Sequence, residues 1–258
     1  MNGSSPDHVL VVYAHPNPQS FTHAVLDQIV RGLADAGHSY EVLDLYAIGF
    51  NPVFSLHDAT QFIHHTLPEG TLDRDTLARV LIDGAGNPLK RFMAKRWVKD
   101  KSVADFVEVF EANQPADVRA HQAKVARAKG LIFVAPVFWM GLPAILKGWL
   151  ERVFAYGFAY TLSAEGWAGQ LDGRVPLLDQ RKGLIVTPTF FTEAEYDTGW
   201  RAAMDTILCD WNLKMAGVKE ATHVYLYAVN AVDPETRKEY LERAYDLGRE
   251  FWSGDEEA

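Results

Sequence analysis

Two short runs, Val9-Leu-Val-Val-Tyr-Ala14 and Leu131-Ile-Phe-Val-Ala135, are apolar at every position; the first is cut by His15-Pro-Asn-Pro18 and the second at once by Pro136. A strand with one face in water alternates apolar and polar residues. A strand apolar on both faces must be covered on both, as at the centre of a parallel sheet flanked by helices. Few folds satisfy that twice.

The intervening pattern fits such a sheet. Ser20 is a helix N-cap candidate, followed by apolar positions Phe21, Val25, Ile29, Val30 and Leu33, with a stop near Gly37. Tyr40–Leu45 reads as a second strand, Gly183–Thr187 as a fourth and His223–Val229 as a fifth. Helices are predicted at Asp117–Lys129, from Pro143 to about Phe154, at Gly199–Ala216 and from cap Asp233 to Trp252, with Pro143 and Pro234 at the favoured first position. Five strands alternating with five helices imply an α/β, doubly wound, five-stranded parallel sheet of order 2-1-3-4-5. From about residue 56 to 115 the pattern breaks into short amphipathic pieces, Thr71–Ile82 and Val103–Ala112 among them. This stretch is expected to be a helical insertion after strand 2, with too few apolar residues for its own core. The chain, 1–258, is then one domain. Residues 155–178 read as an irregular excursion.

A net charge of −9 gives no electrostatic footprint for nucleic acid or an anionic membrane, so neither is an expected partner. An anionic cofactor must then be held by local N–H groups and helix ends. Cys209 is the only cysteine, so no disulfide forms within the chain. The start, Met1 to Asp7, is short and polar, and no run is long enough to cross a membrane. A cytoplasmic location is expected.

In a doubly wound sheet the ligand binds beyond the carboxyl ends of the strands, where the strand order switches. The loops leaving strands 1 and 3 there are His15–Ser20 and Pro136–Pro143. The first runs into a helix N-terminus, which favours a phosphate, with Ser20, Thr22 and His15 as side-chain donors. It has no glycine, so it is no dinucleotide or Walker loop. An ordinary capped turn is the alternative. The second, Pro136-Val-Phe-Trp-Met-Gly141, sets an aromatic cluster in the sheet's exposed crevice. Such a surface suits a flat aromatic ligand, with Gly141 allowing close approach. Otherwise Phe138, Trp139 and Met140 pack on the insertion or on a second subunit.

The block Pro143-Ala-Ile-Leu-Lys-Gly-Trp-Leu-Glu-Arg-Val-Phe154, with Phe158-Ala-Tyr-Thr161 behind it, resembles the NAD(P)H:quinone oxidoreductase (DT-diaphorase) family. So do Val12–Thr22, Asp44-Leu-Tyr-Ala47 and Phe50-Asn-Pro52; the likeness covers about Val9–Pro52 and Asp117–Glu220. It implies a flavodoxin-like fold, FAD (with FMN as the alternative), NADH or NADPH as electron donor, and hydride transfer to quinones in a two-step, ping-pong cycle. It also implies a homodimer with shared active sites. By position, His15, Ser20, Phe21 and Thr22 would hold the pyrophosphate side, and Pro136, Val137, Phe138, Trp139, Met140 and Gly141 the isoalloxazine. Tyr160 would wall the substrate pocket from across the dimer, and Tyr196 would bond the flavin's carbonyl edge.

Two departures stand out. The family's glycine-rich turn after strand 4 reads Thr187-Pro-Thr-Phe-Phe191 here, leaving Thr189 as a candidate flavin contact and Phe190 and Phe191 as pocket walls. Near the family's catalytic histidine stands Arg201, which cannot exchange a proton near neutral pH but can hold negative charge. Azo or nitro reduction on the same scaffold, and an electron carrier or flavin-binding regulator without turnover, are the rival functions. Elsewhere the expectations are structural. His57, Asp58, His64 and His65 read as solvated, with no metal expected, because adjacent histidines diverge. Cys209 reads as inert core, Glu151-Arg152 as a helix-surface or interface pair, and Glu235–Arg243 as a solvated face.

Overall fold

The computed structural model describes residues 7–253, so the acidic run Asp255–Glu257 and most of the polar start lie outside the described residues. The chain opens β1 (His8–Tyr13), α1 (Phe21–Asp35) and β2 (Ser39–Asp44). Short α2 (Leu56–Ala59), α3 (Arg74–Asp83), α4 (Pro88–Trp97), α5 (Val103–Ala112) and α6 (Ala116–Arg127) follow. Then come β3 (Gly130–Val134), α7 (Ala144–Val153), β4 (Tyr160–Leu162), α8 (Ala164–Trp167), β5 (Arg174–Pro176) and β6 (Lys182–Pro188). The last elements are α9 (Glu193–Tyr196), α10 (Trp200–Asp205), β7 (Glu220–Leu226) and α11 (Pro234–Arg249). None of the described helices is long and apolar enough to cross a membrane.

Contacts divide the chain into two units. The first comprises residues up to Pro52, Ala123–Leu150 and the chain from Leu178 onward. Its sheet runs β2-β1-β3-β6-β7, all parallel, which is the expected 2-1-3-4-5 order. Both predicted double-faced strands sit centrally, and β1 from Val9 and all of β3 are buried. Val9, Val11 and Tyr13 join Ile29, Leu33, Ala244 and Phe251 in one core cluster. Ser20 caps α1 by accepting from His23 N–H (3.1 Å), and Asp233 caps α11. The two helices meet backbone to backbone. A Cβ on Gly248 would collide with the Ile29 carbonyl, and one on Gly32 with the Tyr245 carbonyl. Gly148, inside the Pro143–Phe154 block, is likewise pressed against Pro52, so two of the resembling motifs are one packing contact.

Three expectations in this unit shift. β7 starts three residues before the predicted His223, because this edge strand carries its polar residues at its exposed beginning. It ends at Leu226, where Ala228 turns left-handed (φ 49°) and Ala228 and Val229 N–H groups donate to Phe191 and Thr189 carbonyls. The helix predicted over Gly199–Ala216 is α10 followed by a π-helical stretch, Thr206–Leu213. Asn212 Nδ2 donates to the Ile207 carbonyl there (2.7 Å), five residues back along the widened helix.

The second unit comprises Val53–Gln122 and Glu151–Leu177. It does assemble an apolar cluster of its own, from Ile63, Leu77, Ala78, Val98, Phe106, Val107 and Phe110. α5 has the predicted bounds, whereas α4, capped by Asn87, is additional. The supposed irregular excursion holds an antiparallel pair, β4 with β5. Asp58 is not solvated. It is fully buried against the Arg152 guanidinium (2.7 Å), which also donates to Asp117 (2.7 Å). Arg152 is therefore a buried ion-pair hub and no helix-surface residue. His64 and His65 both approach Glu111, and no group able to hold a metal occurs among the described residues.

Candidate functional site

Adjacent strand ends of the first unit carry three loops. The backbone bonds Ala14 N–H to Val134 O, Ala135 N–H to Val186 O and Thr189 N–H to Leu226 O tie those ends side by side. The first loop is stiffened by its own side chains. His15 Nδ1 lies 3.0 Å from Asn17 N and 3.1 Å from Asn17 O, and Asn17 Oδ1 accepts from Gln19 N–H (2.8 Å). Ser20 is half-buried at the cap of α1, and Phe21 packs on the core cluster. Thr22 is buried, so its hydroxyl is not presented to the crevice as predicted; it sits on the core-facing stripe with Val25 and Ile29.

The second loop is the most unusual. Phe138 N–H donates to Gly141 O (2.9 Å) and Gly141 N–H to Phe138 O (3.2 Å), closing a two-residue turn. Its central residues, Trp139 (φ 47°) and Met140 (φ 65°), are both left-handed without being glycine. That is the mirror-image hairpin turn that normally takes Asn-Gly. Each misplaced side chain costs about 1–2 kcal/mol. The turn presents Trp139, 97% exposed, with Met140 and Phe138 also exposed and Phe138 beside His15 (6.0 Å between ring centres). Pro136 is buried and Val137 half-buried; open space surrounds Gly141. Strained backbone that displays an indole to solvent is typical of binding sites. Replacing Trp139 and Met140 together with Asn and Gly is expected to raise stability by about 1 kcal/mol in denaturant unfolding. An unchanged midpoint would mean that the turn is not strained.

The third loop is an aromatic stack. Phe190 and Phe191 remain exposed and meet edge to face, and Phe191 touches Trp200. Trp200 lies flat on Tyr196 (4.3 Å, 8°). Tyr196 is fully buried, and its hydroxyl has no hydrogen-bond partner among the described residues. Burial pushes that phenol up to about 12. Thr189, also buried, donates its hydroxyl to the Phe191 carbonyl (2.9 Å). Arg201 is half-exposed and paired with Glu193 (3.3 Å) and Asp197. Its charge is already met by two carboxylates. The predicted pair thus comes out divided, a buried uncharged phenol and a neutralised surface guanidinium. Tyr160 belongs to the second unit, where Arg174 lies over its ring (4.2 Å).

A polar cluster behind this loop was not foreseen. Buried His223 sits 2.6 Å from Thr187 Oγ1 and 3.0 Å from Asp205 Oδ1, and Tyr225 donates to the same carboxylate oxygen (2.7 Å). Burial lowers the His223 pKa despite Asp205 raising it, so the ring is neutral. The four residues come from three elements, β6, α10 and β7, and no sequence spacing signals their meeting. Cys209 is buried, its thiol raised to about 11 by burial, as inert core requires.

A family described by the flavodoxin-like fold matches residues 7–247, including the 56–115 stretch outside the motif resemblance. NAD(P)H dehydrogenase [quinone] 1 of Cavia porcellus is 29% identical over 90% of this chain and 72% of its own length. Ribosyldihydronicotinamide dehydrogenase [quinone] of Pongo abelii is 30% identical over 68% of this chain; the match spans 63% of that relative. Among solved structures, an NAD(P)H:quinone oxidoreductase from Methanothermobacter marburgensis superposes with a TM-score of 0.67 at 27% identity, covering 96% of both chains. The chain belongs to the flavodoxin-like family, and its relatives include proteins named NAD(P)H dehydrogenase [quinone] and NAD(P)H:quinone oxidoreductase.

Proposed function

We propose that this protein is a flavin-dependent NAD(P)H:acceptor oxidoreductase that reduces quinones by two electrons, working in the cytoplasm as a homodimer. The observation that carries the proposal is the strained turn presenting Trp139 at the switch point of the sheet, in a chain whose relatives carry quinone-reductase names. A bound flavin would take hydride from NAD(P)H and pass two electrons to the acceptor.

The residues fit such a group. Ser20 caps the N-terminus of α1, and His15 lies in the loop that leads to it, an arrangement suited to phosphate. Phe138, Trp139, Met140 and Gly141 supply an apolar platform without side-chain obstruction at the glycine. The orphaned Tyr196 hydroxyl is a second fit. A buried phenol without a partner costs about 1–3 kcal/mol, and a flavin carbonyl would satisfy it. FAD is favoured over FMN by family resemblance, and Tyr160 is assigned to the partner's acceptor pocket on the same ground. Arg201 would have to release Glu193 or Asp197 to hold charge on the reduced ring.

Purified protein offered FAD and FMN should turn yellow and oxidise NADH or NADPH with a menadione-like quinone, giving parallel double-reciprocal lines. Failure to bind either flavin overturns the proposal; bound flavin without NAD(P)H oxidation leaves a carrier or regulator. Azo and nitro acceptors in the same screen rank the substrate class. Tyr196→Phe should leave the flavin-free fold as stable as before or slightly more so, while slowing flavin reduction in single-turnover measurements. Unchanged rates would remove Tyr196 from the site.

A further inference from the structure

The net charge of −9 is not evenly spread. Between Pro88 and Lys101 stand Lys90, Arg91, Lys95, Arg96, Lys99 and Lys101, against Asp100 alone. Most of these lie on α4, a helix with no buried residue. Leu89 (69% exposed), Phe92 (66%) and Met93 (61%) recur at helical spacing and form one outward stripe. Trp97 closes the stripe, resting edge-on against Phe106 with Lys101 over its ring. Lys90, Arg91, Lys95, Arg96 and Lys99 make no ion pair with a carboxylate among the described residues. The inner side of the helix is loosely held. Ala94 borders a cavity of about 310 Å³ lined by Val80, Leu81 and Phe110.

Core packing does not explain this composition, because the large apolar residues face outward. A second copy across a two-fold axis would set Arg91, Lys95 and Arg96 against the same cations. Nucleic acid would use the cations and leave Leu89, Phe92 and Met93 in water. A surface that is anionic outside and apolar just beneath uses both, as amphipathic helices at membrane interfaces do. We propose that α4 seats the second unit on anionic lipid membranes, with Leu89, Phe92 and Met93 entering the headgroup boundary and the flanking lysines and arginines meeting phosphates. The attachment is peripheral. It runs against the expectation, drawn from net charge alone, that an anionic membrane is no partner.

The test is co-sedimentation of the full chain with vesicles of phosphatidylcholine alone or with phosphatidylserine added. Binding should be at least about tenfold stronger to the anionic vesicles, given several cations each contributing near the surface. It should fall steeply as salt approaches about 1 M, where the screening length drops to about 3 Å. The double substitution F92D and M93D should abolish binding. Should that variant misfold, the charge reversal K95E with R96E tests the same surface without touching the apolar stripe. Equal binding to neutral vesicles, or none to either, overturns the proposal. So does a change of oligomeric state in the F92D and M93D variant with vesicle binding unaltered, which would assign the helix to a second copy.

Discussion

Gly248→Ala is expected to destabilise the protein by about 3 kcal/mol or more, among the larger effects of a single methyl group. The added carbon would lie 2.1 Å from the Ile29 carbonyl oxygen, and one on Gly32 would lie equally close to the Tyr245 carbonyl oxygen. Flexible side chains yield to such intrusions, but here both neighbours are helical backbone. Relief requires α1 and α11 to separate, which would loosen Ile29, Leu33 and Ala244 in the core cluster. Gly37→Ala is the control, since open space surrounds Gly37 and only its left-handed φ of 74° opposes alanine, at about 1–2 kcal/mol. Denaturant unfolding of both variants checks the difference. Equal losses would show that the helix contact adjusts freely.

Arg152→Met is expected to cost about 3–5 kcal/mol, because it strands a carboxylate that has no access to water. Asp58 is 0% exposed and bonded to Arg152 Nε at 2.7 Å. Asp58→Asn added to Arg152→Met should recover much of the loss, since the uncompensated charge goes with it. Failure to recover would place the arginine's contribution in packing. The pair also has a pH signature. Burial acts to raise the Asp117 pKa, but the Arg152 hydrogen bond and charge outweigh it and hold it low. A lowered carboxylate contributes stability that is complete above its unfolded value of about 4 and is lost as pH falls through the folded one. The acid limb of the stability profile should therefore flatten in Arg152→Met.

Legibility followed physical cause. β1 and β3 were readable because burial on both faces leaves no other composition, and α1 and α11 because Ser20 and Asp233 cap them locally. The loops after β1 and β3 followed from topology. What failed was whatever depends on partners distant in sequence. Thr22 looked like a donor, but the helical stripe turns it inward. Arg152 looked like a surface residue because Asp58 lies 94 positions away. Tyr196 is packed against Tyr225 and Tyr227 (ring centres 5.3 and 5.4 Å), which follow it at the far end of β7. The apolar stripe of α4 is short and set among basic residues, and β4 and β5 are too short to alternate.

The α1–α11 contact also bears on how the chain can be made. Tyr245 of the last helix bonds Asp35 of the first across 210 positions. Synthesis proceeds from the N-terminus, so β1 and α1 emerge early while their cover, Pro234–Arg249, emerges among the last residues described. Throughout that interval Ile29 and Leu33 have no second helix against them. The nascent chain must carry an open apolar face from the synthesis of α1 until Pro234–Arg249 has been made, and holdase chaperones have their opportunity there.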